Sequence, residues 1–153
     1  MVPEDGGIQA EEGGAERLKA RTADGIRLIP TEEEEQRFVI SWAEVNEYRY
    51  PELKLLYHIP NEGKRSVREG ARMKRIGLRK GISDLCLPVA RGIYHGLYIE
   101  LKARDGRITK EQNEFLAAVR EQGYCGFACY GGVSAVKVIE QYLELDNKRE
   151  EER

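Results

Sequence analysis

The sequence predicts an α/β domain in which a mixed sheet is flanked by helices. Three observations lead there. Short, alternating apolar segments recur between longer segments of helical spacing, in the order α, β, α, β, β, α, β, α. Helix-start chemistry stands at Thr31 and Thr109. Glycines at 77, 123 and 131–132 fall where one element should give way to the next.

The first helix should begin at Thr31, which follows Pro30 and precedes four glutamates suited to the positive end of a helix dipole. Phe38, Val39, Trp42 and Val45 recur at helical spacing and predict its buried stripe, with an end near Tyr50–Pro51. Residues 54–59 (KLLYHI) read as a short strand, and residues 60–63 (PNEG) as a turn. Residues 66–76 form a short basic helix carrying Arg68, Arg72, Lys74 and Arg75, closed by Gly77. Two strands follow, 84–89 (DLCLPV) and 97–102 (LYIELK), joined through residues 90–96. Thr109-Lys-Glu-Gln112 fits a capping box, with Phe115, Leu116 and Val119 as the apolar face of the helix it opens. Residues 124–130 (YCGFACY) read as a further core strand. After Gly131-Gly132 a last helix should turn Val136, Ile139, Tyr142 and Leu143 inwards.

The chain has 153 residues, enough for one domain with a core that folds without staples. Residues 1–29 are rich in Gly and acids and read as a mobile acidic tail. Residues 30–145 are the expected domain, and 146–153 a charged tail. The acidic N-terminus reads as no secretory signal, and no apolar run approaches the roughly 18 residues of a membrane span. Three cysteines, odd in number and widely spaced, predict free thiols in a reducing compartment such as the cytoplasm. With two histidines, 58 and 95, a His-based zinc site is not expected.

The net charge of −2 hides an asymmetry. Residues 1–47 hold 5 Lys/Arg against 12 Asp/Glu, residues 48–110 hold 15 against 6, and residues 111–153 hold 5 against 9. The middle block is strongly basic between acidic ends. Such a block can neutralise phosphates and release their counterions, the sequence-independent part of nucleic-acid affinity. A solvated helix face would have the same composition.

Isolated acids inside this basic block carry the chemical argument. In residues 97–102, Leu97, Ile99 and Leu101 face one side of the sheet, leaving Glu100 and Lys102 on the other. In residues 84–89, Leu85, Leu87 and Val89 form the apolar set, leaving Asp84 on the opposite face. If Asp84 pairs opposite Glu100, the midpoint of the hairpin is Gly92, inside the expected turn. Asp84, Glu100 and Lys102 should therefore converge. Two such carboxylates raise each other's pKa and call for compensation. An oxygen-only set suits Mg²⁺ or Mn²⁺. Lys102 would then orient or deprotonate an attacking water, or stabilise charge on a phosphoryl group. Glu-x-Lys occurs three times, at 52–54, 62–64 and 100–102, and only the third lies inside a strand preceded by a strand that opens with Asp. A surface hairpin with a weak exposed ion pair is the plain alternative.

The motifs His58-Ile-Pro-Asn-Glu-Gly63, Gly77 to Leu87, Gly96 to Lys102, Gln112 and Gly123-Tyr124, in that order, resemble the stand-alone VRR-NUC nucleases of the PD-(D/E)XK superfamily, many of them viral. The resemblance spans roughly residues 31–143. It implies a restriction-endonuclease-like αβββαβ core and a Mg²⁺- or Mn²⁺-dependent phosphodiesterase. By that resemblance Asp84 matches the Asp of the PD motif, Glu100 and Lys102 the ExK pair, and Gln112 a glutamine near the metal. Glu32 matches an acid on the first helix, with Glu35 as its rival. Asp84, Glu100 and Glu32 are the implied metal ligands. Ser83 stands where the motif has Pro, a change that removes no ligand. The resemblance further implies DNA as partner, gripped by Arg68, Arg72, Arg75, Arg79 and Lys80. Stand-alone members are similar to Holliday-junction resolvases, which implies a homodimer whose symmetry matches a four-way junction. A flap endonuclease, or a catalytically silent DNA-binding module of the same fold, is the alternative. For a viral member, the implied place of action is the host cell.

Trp42 reads as core, and Cys125 and Cys129 as buried structural thiols sharing one strand face. His58 reads as a strand-end histidine with a structural hydrogen bond. Asn61 and Gly63 read as turn chemistry, and Tyr48, Tyr50 and Tyr57 as core or interface.

Overall fold

Thr31 starts the first helix, α1 (Glu32–Asn46), in the computed structural model, which describes residues 28–60 and 66–146. The expected tails lie outside the described residues apart from Leu28, Ile29 and Asp146, and the turn expected at 60–63 does so apart from Pro60. The Thr31 hydroxyl accepts from the Glu34 amide at 3.2 Å, and the Glu34 carboxylate accepts from the Thr31 amide at 2.7 Å. Four glutamates occupy the first turn, where the dipole favours them. The helix ends earlier than the sequence suggests, because a 3-10 helix (Pro51–Leu55) takes over at Pro51 and buries Leu53. Its buried stripe is Glu35, Val39 and Ala43, with Trp42 packed against the core. Phe38 and Val45, expected inside, are exposed; they lie about 100–120° around the axis from Val39, off the face that meets the sheet.

Four strands form one sheet in the order β1–β2–β3–β4. They are β1 (Tyr57–His58), β2 (Leu85–Leu87), β3 (Leu97–Lys102) and β4 (Cys125–Tyr130). The strand expected over 54–59 shrinks to two residues, since 51–55 is wound into the 3-10 helix. The β1–β2 and β2–β3 pairs are antiparallel, and β3–β4 is parallel. A parallel pair needs a crossover, and α3 (Lys110–Glu121) supplies it, opened by the capping box of Thr109 and Gln112. The register pairs Leu85 with Ile99 and Leu87 with Leu97, so the next position outward sets Asp84 against Glu100, with Gly92 (φ +51°) at the midpoint.

The odd-numbered side chains of β2, β3 and β4 pack against α1 and the last helix, α4 (Gly132–Leu143), through Val39, Ala135, Val138, Ile139 and Tyr142. Tyr142 is fully buried and donates its hydroxyl to the Val89 carbonyl at 2.6 Å. The other sheet face is roofed by α3: Leu116 rests over Gly126, and Phe115 meets Tyr98 edge-on at 5.4 Å between centroids. The result is a three-layer α/β arrangement with a mixed sheet at its centre, as the sequence predicts. The remaining helix, α2 (Val67–Arg75), is capped by Ser66 and buries none of its residues. Cys86, Cys125 and Cys129 are buried and form no disulfide. Among the described residues no helix is long and apolar enough to cross a membrane.

Gly81 (φ +78°) has no room for a side chain: an added Cβ would sit 2.6 Å from the Glu111 carbonyl carbon. Gly70, inside α2, has nothing within 4 Å. Gly81→Ala should lower the thermal midpoint by several degrees, about 1–3 kcal/mol at a strained position, whereas Gly70→Ala should not lower it. Calorimetric melting of both variants checks this.

Candidate active site

A mid-strand glutamate with no solvent exposure organises this region. Glu100 lies in β3, whose expected polar face is covered as well: Glu100 and Lys102 are buried and Tyr98 is half-buried. Its Oε1 accepts from the Gln112 amide at 2.6 Å and lies 3.2 Å from the Lys102 ammonium. Its Oε2 is buried with no hydrogen-bond partner. Lys102, two residues on, points to the same side and reaches Glu32 Oε1 at 3.5 Å as well. Asp84, just before β2, is buried, and its Oδ2 accepts from the Leu101 amide at 2.7 Å. A weak exposed ion pair is therefore not what the hairpin holds.

Each position follows from local sequence. The pleat and the register bring Asp84, Glu100 and Lys102 to one face, as the spacing predicts. The capping box delivers Gln112. Its Oε1 accepts from the Thr109 amide at 2.9 Å while its Nε2 donates to Glu100. A glutamate at 112 could cap the helix equally well, but it could not donate and would add a negative charge. Thr31 in the same way sets Glu32 in the first turn of α1, beside Lys102. Glu35, its rival, faces elsewhere: it is buried and its Oε2 accepts from the Gly132 amide at 2.7 Å, fastening the start of α4 to α1. His58 makes a 3.0 Å hydrogen bond through Nδ1 to the Asp84 carbonyl, a structural tie at the rim of the site. His95 lies against Tyr124 and Gly123, away from the carboxylates.

Burial raises the pKa of Glu100 to about 8, and the neighbouring Asp84 adds to the rise. Asp84 is raised too, by burial first, although the Leu101 amide and Lys102 oppose it. Burial would lower Lys102, but Glu100, Glu32 and Asp84 outweigh it and hold it above the usual lysine range. The cluster thus offers three carboxyls against one ammonium, with a buried oxygen unpartnered. That deficit of positive charge is what a divalent cation would fill. The three carboxylates are not gathered into a ready-made cage, and among the described residues no other group of three metal-ligating side chains is. Lys102 stands among them, its ammonium 3.5 Å from Glu32 and 3.2 Å from Glu100.

Beside Asp84 opens a cleft of about 400 Å³ between α2 and the start of α3, lined by Lys74, Arg79, Lys80, Glu111 and Gln112. Of the five expected DNA-gripping residues, Arg79 and Lys80 line it. Arg68, Arg72 and Arg75 do not, and Arg72 is engaged with Glu69 at 2.9 Å. Lys74 takes their place. Its spacing of four from Gly70 puts both on one side of α2, a signal present in the sequence.

A family model for the VRR-NUC domain matches residues 28–132. The chain belongs to the VRR-NUC family. It is similar to a solved structure described as a VRR_NUC domain protein, at 33% identity and a TM-score of 0.67, over 76% of this chain and 90% of that one. No curated protein matches the chain. Membership of this family makes the domain a nuclease domain with DNA as the class of substrate. Asp84, Glu100, Lys102 and Gln112 occupy one continuous cluster within the matched span.

In metal-free buffer the raised carboxyl of Glu100 has a definite consequence. The folded chain holds a proton that an unfolded glutamate has lost, between its ordinary value of 4.5 and about 8. Stability from this site is full below that window and is lost as pH rises through it; Asp84 acts in the same direction. From this group the thermal midpoint should fall as pH rises from 4.5 to about 8, and Glu100→Gln should flatten that fall. Melting curves across this range test it.

Proposed function

We propose that this chain is a Mg²⁺- or Mn²⁺-dependent, structure-selective DNA endonuclease that acts as a homodimer on four-way junctions. The observation that carries the catalytic reading is the fully buried Glu100 beside Asp84, Lys102 and Gln112 at the head of a cationic cleft. Asp84 and Glu100 would hold the divalent cation, and Glu32 steadies Lys102 from the outer side. A bound cation supplies positive charge against the charge that builds on the phosphoryl oxygens.

The chain's own residues do the rest. The Leu101 amide holds Asp84 Oδ2, and Gln112 holds Glu100 Oε1, so both carboxyls are aimed before substrate arrives. Lys102 stays an ammonium in this surrounding. Its part is therefore to donate hydrogen bonds and charge to the attacking water or to the phosphate in transit; as the new P–O bond forms, the water's proton passes to bulk water and the P–O bond to the leaving sugar oxygen breaks. Lys74, Arg79 and Lys80 hold flanking phosphates and set the strand's register without reading its sequence. A two-fold pair of such sites meets the two strands of a junction symmetrically.

Incubation with four-way junction, flap and plain duplex DNA in Mn²⁺ tests the reading. Junction cleavage should dominate, and Lys102→Ala should lower it by about 10²–10³-fold. Equal cleavage by both proteins would remove the role of Lys102, and cutting of duplex alone would remove the junction. Mn²⁺ should also raise the melting temperature of the wild type and not that of Glu100→Gln. Separately, Lys74→Ala, Arg79→Ala and Lys80→Ala should each weaken DNA binding and reduce the slope of log affinity against log salt by about one, read by fluorescence anisotropy.

A further inference from the structure

One row of side chains crosses all four strands. Tyr57 pairs with Cys86, Cys86 with Tyr98, and Tyr98 with Gly126. Paired residues point to the same side of a sheet, here the side of Asp84, Glu100 and Lys102. The row starts under α3, where Leu116 and Val119 cover Gly126 and Phe115 and Tyr124 flank Tyr98 at 5.4 Å each. Cys86 is buried. The cover stops at Tyr57, which is 49% exposed.

Tyr57 stands on the edge strand, paired with the buried Cys86, and keeps about half its surface open to water. Its phenol, neutral at physiological pH as tyrosines are, does not repel phosphate. The ring thus lies, uncharged and partly open, on the sheet face that carries the carboxylates. Cys86 is two residues from Asp84, an offset of about 6.8 Å along the strand. The cationic cleft of Lys74, Arg79 and Lys80 opens beside the same Asp84.

We propose that Tyr57 is a stacking platform for an unpaired nucleobase of the DNA strand that lies across Asp84 and Glu100. The inference rests on the nuclease reading above and adds to it a source of structure selectivity. Aromatic rings stack on any base, whatever its sequence, and a base inside a duplex already has both faces occupied. A ring fixed this close to the carboxylates favours substrates whose strand is unpaired or splayed next to the cut, as at a branch point.

The test uses the full chain in Ca²⁺, with oligonucleotides that each carry one 2-aminopurine, walked along an unpaired segment next to a duplex. Wild type should quench one position strongly on binding. Tyr57→Phe, which keeps the ring, should retain the quenching, and Tyr57→Ala should lose it. Tyr57→Ala should also bind the unpaired substrate about tenfold more weakly, with no change on plain duplex. Near-UV circular dichroism of each variant reports folding. Three outcomes overturn the inference: quenching unchanged in Tyr57→Ala, equal loss in Tyr57→Phe, or equal weakening on duplex. Failure of wild type to bind any of these DNAs, seen by anisotropy without reference to Tyr57, would instead bring down the nuclease reading and this inference with it.

Discussion

A carboxyl group removed from water in the middle of a strand is the constraint on which the rest of this structure depends. Glu100 has no exposed surface, and a bare buried carboxylate is among the costliest groups a fold can carry. Three separate parts of the chain answer that cost. The same face of β3, two residues on, brings Lys102, the crossover helix brings Gln112, and the burial itself shifts the proton equilibrium upward. Removing any one leaves the others to support a charge they cannot support alone. In the proposed reaction, the oxygen of this carboxyl left without a hydrogen-bond partner is the one that would face the cation.

The centre of this domain was legible because its signals are short-ranged. Pleat alternation puts Glu100 and Lys102 on one side, and hairpin symmetry about Gly92 sets Asp84 opposite Glu100; both need only a few residues of sequence. Capping chemistry located the starts of α1 and α3 for the same reason. Where packing partners decide, the sequence misled. Phe38 and Val45 share a helical period with Val39 but not its position against the sheet. Residues 54–55 have strand-like composition, yet Pro51 winds them into a 3-10 turn. Sequence spacing alone does not separate Glu32 from Glu35; their contacts do, since one meets Lys102 and the other the start of α4.

The basic block needed the third dimension for a related reason. Charge counting finds it but does not say which cations face the carboxylates. Arg72 is engaged by Glu69, three residues away on its own helix, while Lys74 opens onto the cleft past the bare face of Gly70. The stretch that follows, Arg79-Lys80-Gly81, is pressed against Glu111 at the start of α3 with no clearance at Gly81. The start of α3 thus touches both sides of the site: it meets Gly81, next to Arg79 and Lys80, and it holds Glu100 through Gln112.

The double employment of Gln112 extends beyond the static picture. One end of its amide closes the first turn of α3 and the other holds the Glu100 carboxyl. Helix ends are where secondary structure opens most readily. Each brief unwinding at Thr109 would free Glu100 from its donor and alter its hold on a proton. Breathing at the margin of the fold would thereby register as a changing acidity at its heart, and a nucleic acid that pins the start of α3 would quieten both together.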